Sequence, residues 1–279
     1  MLKLSFTIPA SLDGRTAEQL LHTGLSLPDG LISHLKYIPE GITLNDAPIH
    51  TNTRVHSGDI LAARIDDADA SNSAEPIDCG VRIVWEDEYL AMLAKPAGIC
   101  VHGVPGGTPT VENAAAYFWG QSVSFHPINR LDRGTSGLML AAKCRLLHSM
   151  MQTALHSDRF RRTYLAVTEG EIPPCGSIDI PISGKPALTD YERLSFDGRF
   201  SLVRLTLHTG RTHQIRIHMA SIGHPLAGDV QFGGGTELSR PALHSWQAEF
   251  VHPVTGERLC FTEPMPEDMR ELVGHQVGT

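Results

Sequence analysis

The stretch "NRLDRGTSGLMLAAK", residues 129–143, sets a single aspartate, Asp132, between Arg130 and Arg133. A turn of small residues follows, Gly134-Thr135-Ser136-Gly137, and then a short apolar run. A run of that length bounded by turn signals predicts a buried strand rather than a helix. No other acid occurs between Glu112 and Asp158. A lone carboxylate excludes the acid-plus-base pair of ordinary glycosidases. No G-x-x-x-x-G-K-[ST] loop and no nearby Ser/His order point to other common chemistries. Flanking arginines favour the ionised form, which suits a nucleophile or base better than a proton donor. The glycines let another molecule approach the backbone. A purely structural turn cap remains the plain alternative for Asp132.

Downstream of this stretch, "RLLHSMMQTALHSD" places Leu146, Leu147, Met150, Met151 and Leu155 at helical spacing, so they are core contacts. "RRTYLAVTEG" and "FSLVRLTLHTGRTHQIRIHMA" alternate as strands. Upstream, "VRIVWEDEYLAMLAKPAGICVHG" gives two strand-like runs with Lys95-Pro96-Ala97-Gly98 as an irregular turn, and residues 111–119 read as a helix. Residues 66–77, "DDADASNSAEPI", are small, polar and acidic, and read as a linker. Before them, residues 1–65 predict two short helices followed by a small sheet, with turns at Asn45-Asp46 and Ser57-Gly58-Asp59. Residues 78–279 then form the larger domain. The class expected is α+β, a mixed, largely antiparallel central sheet with flanking helices, plus a small α/β N-terminal module.

The 279 residues suffice for a sizeable core, and 41% hydrophobic with 19% charged residues is ordinary globular composition. No leader-like or membrane-length apolar run is present, which leads to the expectation of a cytoplasmic protein, taken to be a monomer. The five cysteines form no C-x-x-C pair and read as reduced thiols. The 15 histidines lack an H-E-x-x-H helix, so packing or anion contact is the reading and no metal or other cofactor is expected. Net charge is −8. Its distribution is uneven: residues 1–75 hold 5 Lys/Arg against 10 Asp/Glu, whereas residues 120–162 hold 7 against 2. A basic band in an acidic protein fits a polyanion directed to one groove, or a solvated cationic face.

The motif at Asp132 resembles the signature of the RluA-type pseudouridine synthase family, usually H-R-L-D-R-x-T-S-G-L. Further segments resemble the family in its order: "LAKPAGICVHG", "RRTYLAVTEG", "GSIDIPI", "TGRTHQIRIHMASIGHPLAGDVQFG" and "LHSWQAEFVHP". Together they extend from about residue 83 to residue 268. In residues 1–65, "ITLNDAPI" and "RVHSGDIL" resemble the ribosomal-protein-S-four-like RNA-binding module, without its usual basic residues around the second helix.

The resemblance implies an RNA-uridine isomerase needing no cofactor. Asp132 matches the nucleophile, and Arg130 the arginine that enters the helical stack where the target base leaves. Tyr164 matches the tyrosine that stacks on the flipped uracil and is a candidate for proton abstraction. Arg216 matches the arginine paired with the catalytic carboxylate, and Ile217 an apolar position near the base. Arg162 stands for the usual lysine two before the tyrosine, with the charge kept, and is expected with Arg130, Ile217, Arg133, Arg211 and His213 to bind substrate. Lys95, Arg133, Arg211 and His213 read as loop scaffolding or phosphate contacts. Asn129 replaces the family's histidine, and Phe232 stands where the pattern has tyrosine. The substrate implied is structured RNA, ribosomal in preference to transfer RNA. The competing reading is an RNA-binding or ribosome-assembly factor with vestigial catalysis.

Overall fold

Two units, Met1–Asp69 and Ala70–Thr279, make up the chain. The computed structural model describes residues 2–65, 72–103, 107–155, 157 and 159–274. In the first unit β1 (Lys3–Thr7) precedes α1 (Ala17–Thr23) and α2 (Asp29–Leu35), and β2 (Ile42–Leu44), β3 (Ala47–Pro48) and β4 (Ile60–Arg64) follow. The strands form one sheet in the order β1-β4-β2-β3. The expected helices are present, but the sheet also recruits the segment ahead of them. Thr16 starts α1 with a reciprocal capping box to Gln19. Asn45 and Asp46, both at positive φ, make the tight turn between β2 and β3.

The second unit contains β5 (Arg82–Glu86), β6 (Leu90–Lys95), α3 (Val111–Trp119), β7 (His126–Pro127), β8 (Ser136–Ala142), α4 (Arg145–Ala154) and β9 (Phe160–Glu169). It continues with β10 (Cys175–Ile178), β11 (Thr189–Phe196), β12 (Phe200–Leu207), α5 (Gln214–Ser221), β13 (Leu243–Val251), β14 (Arg258–Thr262) and α6 (Glu267–Leu272). One sheet has the order β10-β11-β12-β9-β13-β8-β6-β5, with β14 also on β13 and β7 on β8. Its pairings are antiparallel except β13 with β8. This is the mixed, largely antiparallel α+β architecture that the patterning predicts.

Every residue of β8 is buried, as expected for an apolar run flanked by β6 and the first residues of β13. At its start Gly137 has φ +106°, and a Cβ there would stand 2.2 Å from the carbonyl oxygen of Ser245. A Cβ on Gly134 would meet Pro241 at 2.9 Å. These two glycines therefore admit the protein's own β13 segment rather than another molecule. Gly137, Ser245 and Tyr164 consequently lie abreast on β8, β13 and β9. The loop carrying Asp132 ends at that point.

Two segments depart from their expected form. Residues 214–221 are the helix α5, not the end of a strand. Residues 66–71, half of the expected linker, lie outside the described residues. Its other half runs along α3: Asn72 N donates to Gln121 O at 2.9 Å, and Asn113 Nδ2 donates to Glu75 O at 2.8 Å.

Candidate active site

Asp132 occupies the loop between β7 and β8. Asn129, 5% exposed, uses its side-chain oxygen to accept the Leu140 N–H at 2.9 Å, and Thr135 N donates to Asp132 O at 3.0 Å. The amide at position 129 thus fastens the loop to β8, a task that needs an acceptor and no titration. Lys95 fastens it from the other side. This lysine is only 2% exposed, and its Nζ donates to the carbonyls of Pro96 (2.9 Å), Ile99 (2.9 Å) and Arg133 (3.3 Å). Burial pushes its ammonium down to about 8, with the negative charge of Asp132 among the influences opposing that shift. Arg133 Nε donates to Gly98 O at 2.8 Å, while Gly98 N donates to Arg133 O at 2.7 Å. Lys95 and Arg133 are the scaffold of this loop.

The Asp132 side chain keeps 29% of its surface accessible. Its two oxygens face a guanidinium and an imidazole without hydrogen-bonding to either: Arg216 Nη1 at 3.7 Å from Oδ2, and His213 Nε2 at 3.8 Å from Oδ1. His213 is held there by a left-handed backbone, φ +56° and ψ 23°, at the entry to α5. A non-glycine residue in that region is strained, and here the strain turns the imidazole toward Asp132. Gln214 locks the turn: its Oε1 accepts from Thr209 Oγ1 and Arg211 N, and its Nε2 donates to Leu188 O. Arg211 is tied to the same loop system, its Nε donating to Pro186 O at 3.0 Å.

Arg216 differs from its expected form in one respect. Asp132 is not its main partner; that partner is Asp229, just 1% exposed. Nε and Nη2 of the arginine donate to the two carboxylate oxygens of Asp229, both at 2.7 Å, and Nη2 also donates to Gln231 Oε1 at 3.0 Å. Phe232 lies under the guanidinium at 4.8 Å and meets the His213 ring edge-on at 5.8 Å. The hydrogen bonds it donates to Asp229, opposed by burial, push Arg216 above its ordinary range, so it is a permanent cation. Sequence reasoning missed Asp229; a buried arginine requires a buried acid, but nothing local marked which acid it would be.

Tyr164, 4% exposed, stands on β9 beside Ser245. Burial pushes its phenol up; nearby Arg162 and a hydrogen bond with Ser245 pull it down, and the charge of Asp132 pushes it up again. The net direction is upward, so the ring is a neutral phenol at neutral pH. Arg130 is exposed, and Ile217 is half-buried one turn into α5. Arg162 is 5% exposed. The basic band is therefore not one groove: Lys143 pairs with Glu86 at 2.8 Å, Arg162 is inside, and Arg130, Arg159 and Arg161 face outward. Among the described residues no three His, Cys, Asp or Glu side chains converge as a metal site needs, and no helix is long and apolar enough to cross a membrane.

The mixed sheet with its flanking helices is a fold seen in solved structures. Human RNA Pseudouridylate Synthase Domain Containing 4 superimposes with a TM-score of 0.58 at 22% identity, over 68% of this chain and 92% of that one. Human RNA Pseudouridylate Synthase Domain Containing 1 gives 0.56 at 23%, over 66% and 83%. Residues 89–221 match the RNA pseudouridylate synthase family. The uncharacterized RNA pseudouridine synthase YhcT of Bacillus subtilis (strain 168) is 35% identical over 96% of both chains. Ribosomal large subunit pseudouridine synthase D of Nitrosomonas europaea is 32% identical, over 97% of this chain and 87% of its own. The chain belongs to the RNA pseudouridine synthase family. It is an isomerase of RNA, converting uridine to pseudouridine.

Proposed function

We propose that Asp132 is the nucleophile of this isomerisation, acting on a uridine flipped out of structured ribosomal RNA. The observation carrying this reading is the Asp132 carboxylate itself: accessible, faced by the Arg216 guanidinium at 3.7 Å and the His213 imidazole at 3.8 Å, yet without a short hydrogen bond to its side chain among the described residues. In the reaction the glycosidic bond to nitrogen breaks, the uracil turns, and a bond to carbon forms, with no change of oxidation state. The target atoms are hidden in stacked RNA, so flipping costs a few kcal/mol, least at loops and bulges. Arg130, exposed beside the Asp132 loop, fills the vacated place in the stack. Tyr164 stacks on the base, an interaction worth about 1–3 kcal/mol per base in single-strand binding. Its raised phenol favours stacking and hydrogen bonding over action as a phenolate. Arg216, fixed by Asp229, keeps a positive charge beside Asp132 in a poorly solvated site.

Ribosomal RNA as the substrate is supported by the relative named for the large ribosomal subunit, similar across 97% of this chain. The N-terminal unit is read as an RNA-positioning module, on the resemblance of its β2–β4 region. The test is pseudouridine mapping in cells lacking the endogenous gene. Wild-type protein should restore a defined ribosomal site, and Asp132→Asn should restore none at equal protein level. Restoration by Asp132→Asn refutes the nucleophile; restoration only in transfer RNA refutes the substrate.

A further inference from the structure

Arg162 is 5% exposed on β9, two residues before Tyr164 and on the same face of the strand. Its Nε is buried without any hydrogen-bond partner. Among the described residues the guanidinium forms no ion pair, and its aromatic neighbour is the Phe160 ring at 5.9 Å. Arginine is charged at every physiological pH, so this largely buried residue brings a positive charge with no counterion among the described residues. A lone buried charge is strongly unfavourable unless something completes it. Its position indicates what that is. A Cβ on Gly210 would stand 3.2 Å from Arg162 Nη1, so the guanidinium packs against the loop that carries His213 to Asp132. Arg162 and Asp132 both act electrostatically on the Tyr164 phenol. Arg162 therefore lies against the 209–213 loop, two residues along β9 from Tyr164.

We propose that Arg162 is an anion-binding residue completed by a phosphodiester group of the RNA when the target nucleotide enters the cleft. The inference rests on the reading of this cleft as the uridine site and adds a ligand for a residue that the chemistry leaves unused. A uracil carbonyl would leave the enclosed charge uncompensated; a phosphate removes it. RNA brings one phosphate with every nucleotide. The glycine at 210 leaves room for the guanidinium tip against this loop, where a side chain would crowd it.

The test uses the full chain carrying Asp132→Asn, so that binding is read without turnover. The probe is an in vitro transcript of the RNA whose uridine cellular mapping identifies. Arg162→Met should weaken binding about 10-fold at about 0.1 M salt and flatten the log-affinity against log-salt slope by about 0.7–1, the loss of one neutralised phosphate. Arg162→Lys should keep the slope. Without RNA, Arg162→Met should melt at the wild-type temperature or above, because it removes an uncompensated charge. Three results overturn the proposal: an unchanged affinity and slope; a weakened affinity with an unchanged slope, which would assign Arg162 to the base or to Tyr164; or a large drop in melting temperature, which would make the residue structural. If mapping finds no Asp132-dependent pseudouridine, the underlying reading of the cleft fails instead, whatever Arg162 does.

Discussion

Arg216 and Arg162 are both more than nine-tenths buried, at 7% and 5% exposure. Their surroundings are opposite. Arg216 has a buried carboxylate at 2.7 Å through two bonds, an amide oxygen at 3.0 Å, an aromatic ring beneath it and a second carboxylate at 3.7 Å. Arg162 has no carboxylate among the described residues and an orphaned Nε. Lys95 is intermediate, a buried cation held by three carbonyl dipoles. The difference separates charge that serves the fold and the reacting groups from charge held in reserve for a ligand. Asp229 gives Arg216 a fixed address. As a result Asp132 gains a neighbouring positive charge without being bound by it.

The contrast predicts opposite outcomes for the same truncation. Arg216→Met strands Asp229 in the core and should cost about 3–5 kcal/mol of stability in urea unfolding, whereas Arg162→Met should cost nothing or stabilise. Equal losses would erase the distinction. Asp229→Asn should release the guanidinium from its clamp; a displacement of about 1 Å at a reacting centre costs on the order of 10²-fold in turnover. Single-turnover rates at saturating RNA measure this, and a wild-type rate would show that the clamp is dispensable.

Lys95 supplies a prediction in pH. Its folded-state value of about 8 lies below the 10.5 of an exposed lysine. Between those values the unfolded chain binds the extra proton, so stability contributed at this position rises with pH, by a slope approaching about 1.4 kcal/mol per unit. Wild type should therefore gain on Lys95→Met as pH goes from 8 to 10, measured by chemical unfolding; parallel curves would disprove the shift. Phe232→Leu removes the ring under Arg216 and should cost about 0.5–1 kcal/mol, while Phe232→Tyr should cost less. An equal loss for both would indicate that the ring face is irrelevant.

The sequence showed the elements whose burial is one-sided or complete and apolar. α3 lies where residues 111–119 read as a helix, α4 exposes its polar side, and β8 is a continuous apolar run. α5 was hidden because its buried positions include Gln214, Arg216 and His218, which interrupt the apolar stripe and leave Ile215, Ile217 and Met219 alternating like a strand. The cost of burying those polar residues is offset because Thr189, the Ile180 carbonyl and Asp229 satisfy them. Partners so distant in sequence have no local pattern. β1 was missed for a related reason: its pairing partner, β4, lies beyond both helices.

At the site, the residue types around Asp132 were legible through motif resemblance, but their division of labour was not. Asp229, the residue that decides where the Arg216 charge sits, is one acid among 31 Asp and Glu. Likewise, the glycines after Asp132 signal a close approach without saying by what. The structure shows the Ser245 backbone against Gly137.

On the proposed function the carboxylate at position 132 reacts rather than merely attracts, and other groups supply the binding. Purified Asp132→Asn protein mixed in excess with its uridine-containing RNA measures this directly. The predicted result is affinity within about 3-fold of wild type and pseudouridine formation reduced by at least about 10³-fold, as for loss of a nucleophile. Turnover within 10-fold of wild type, in a variant that folds and binds, would contradict it.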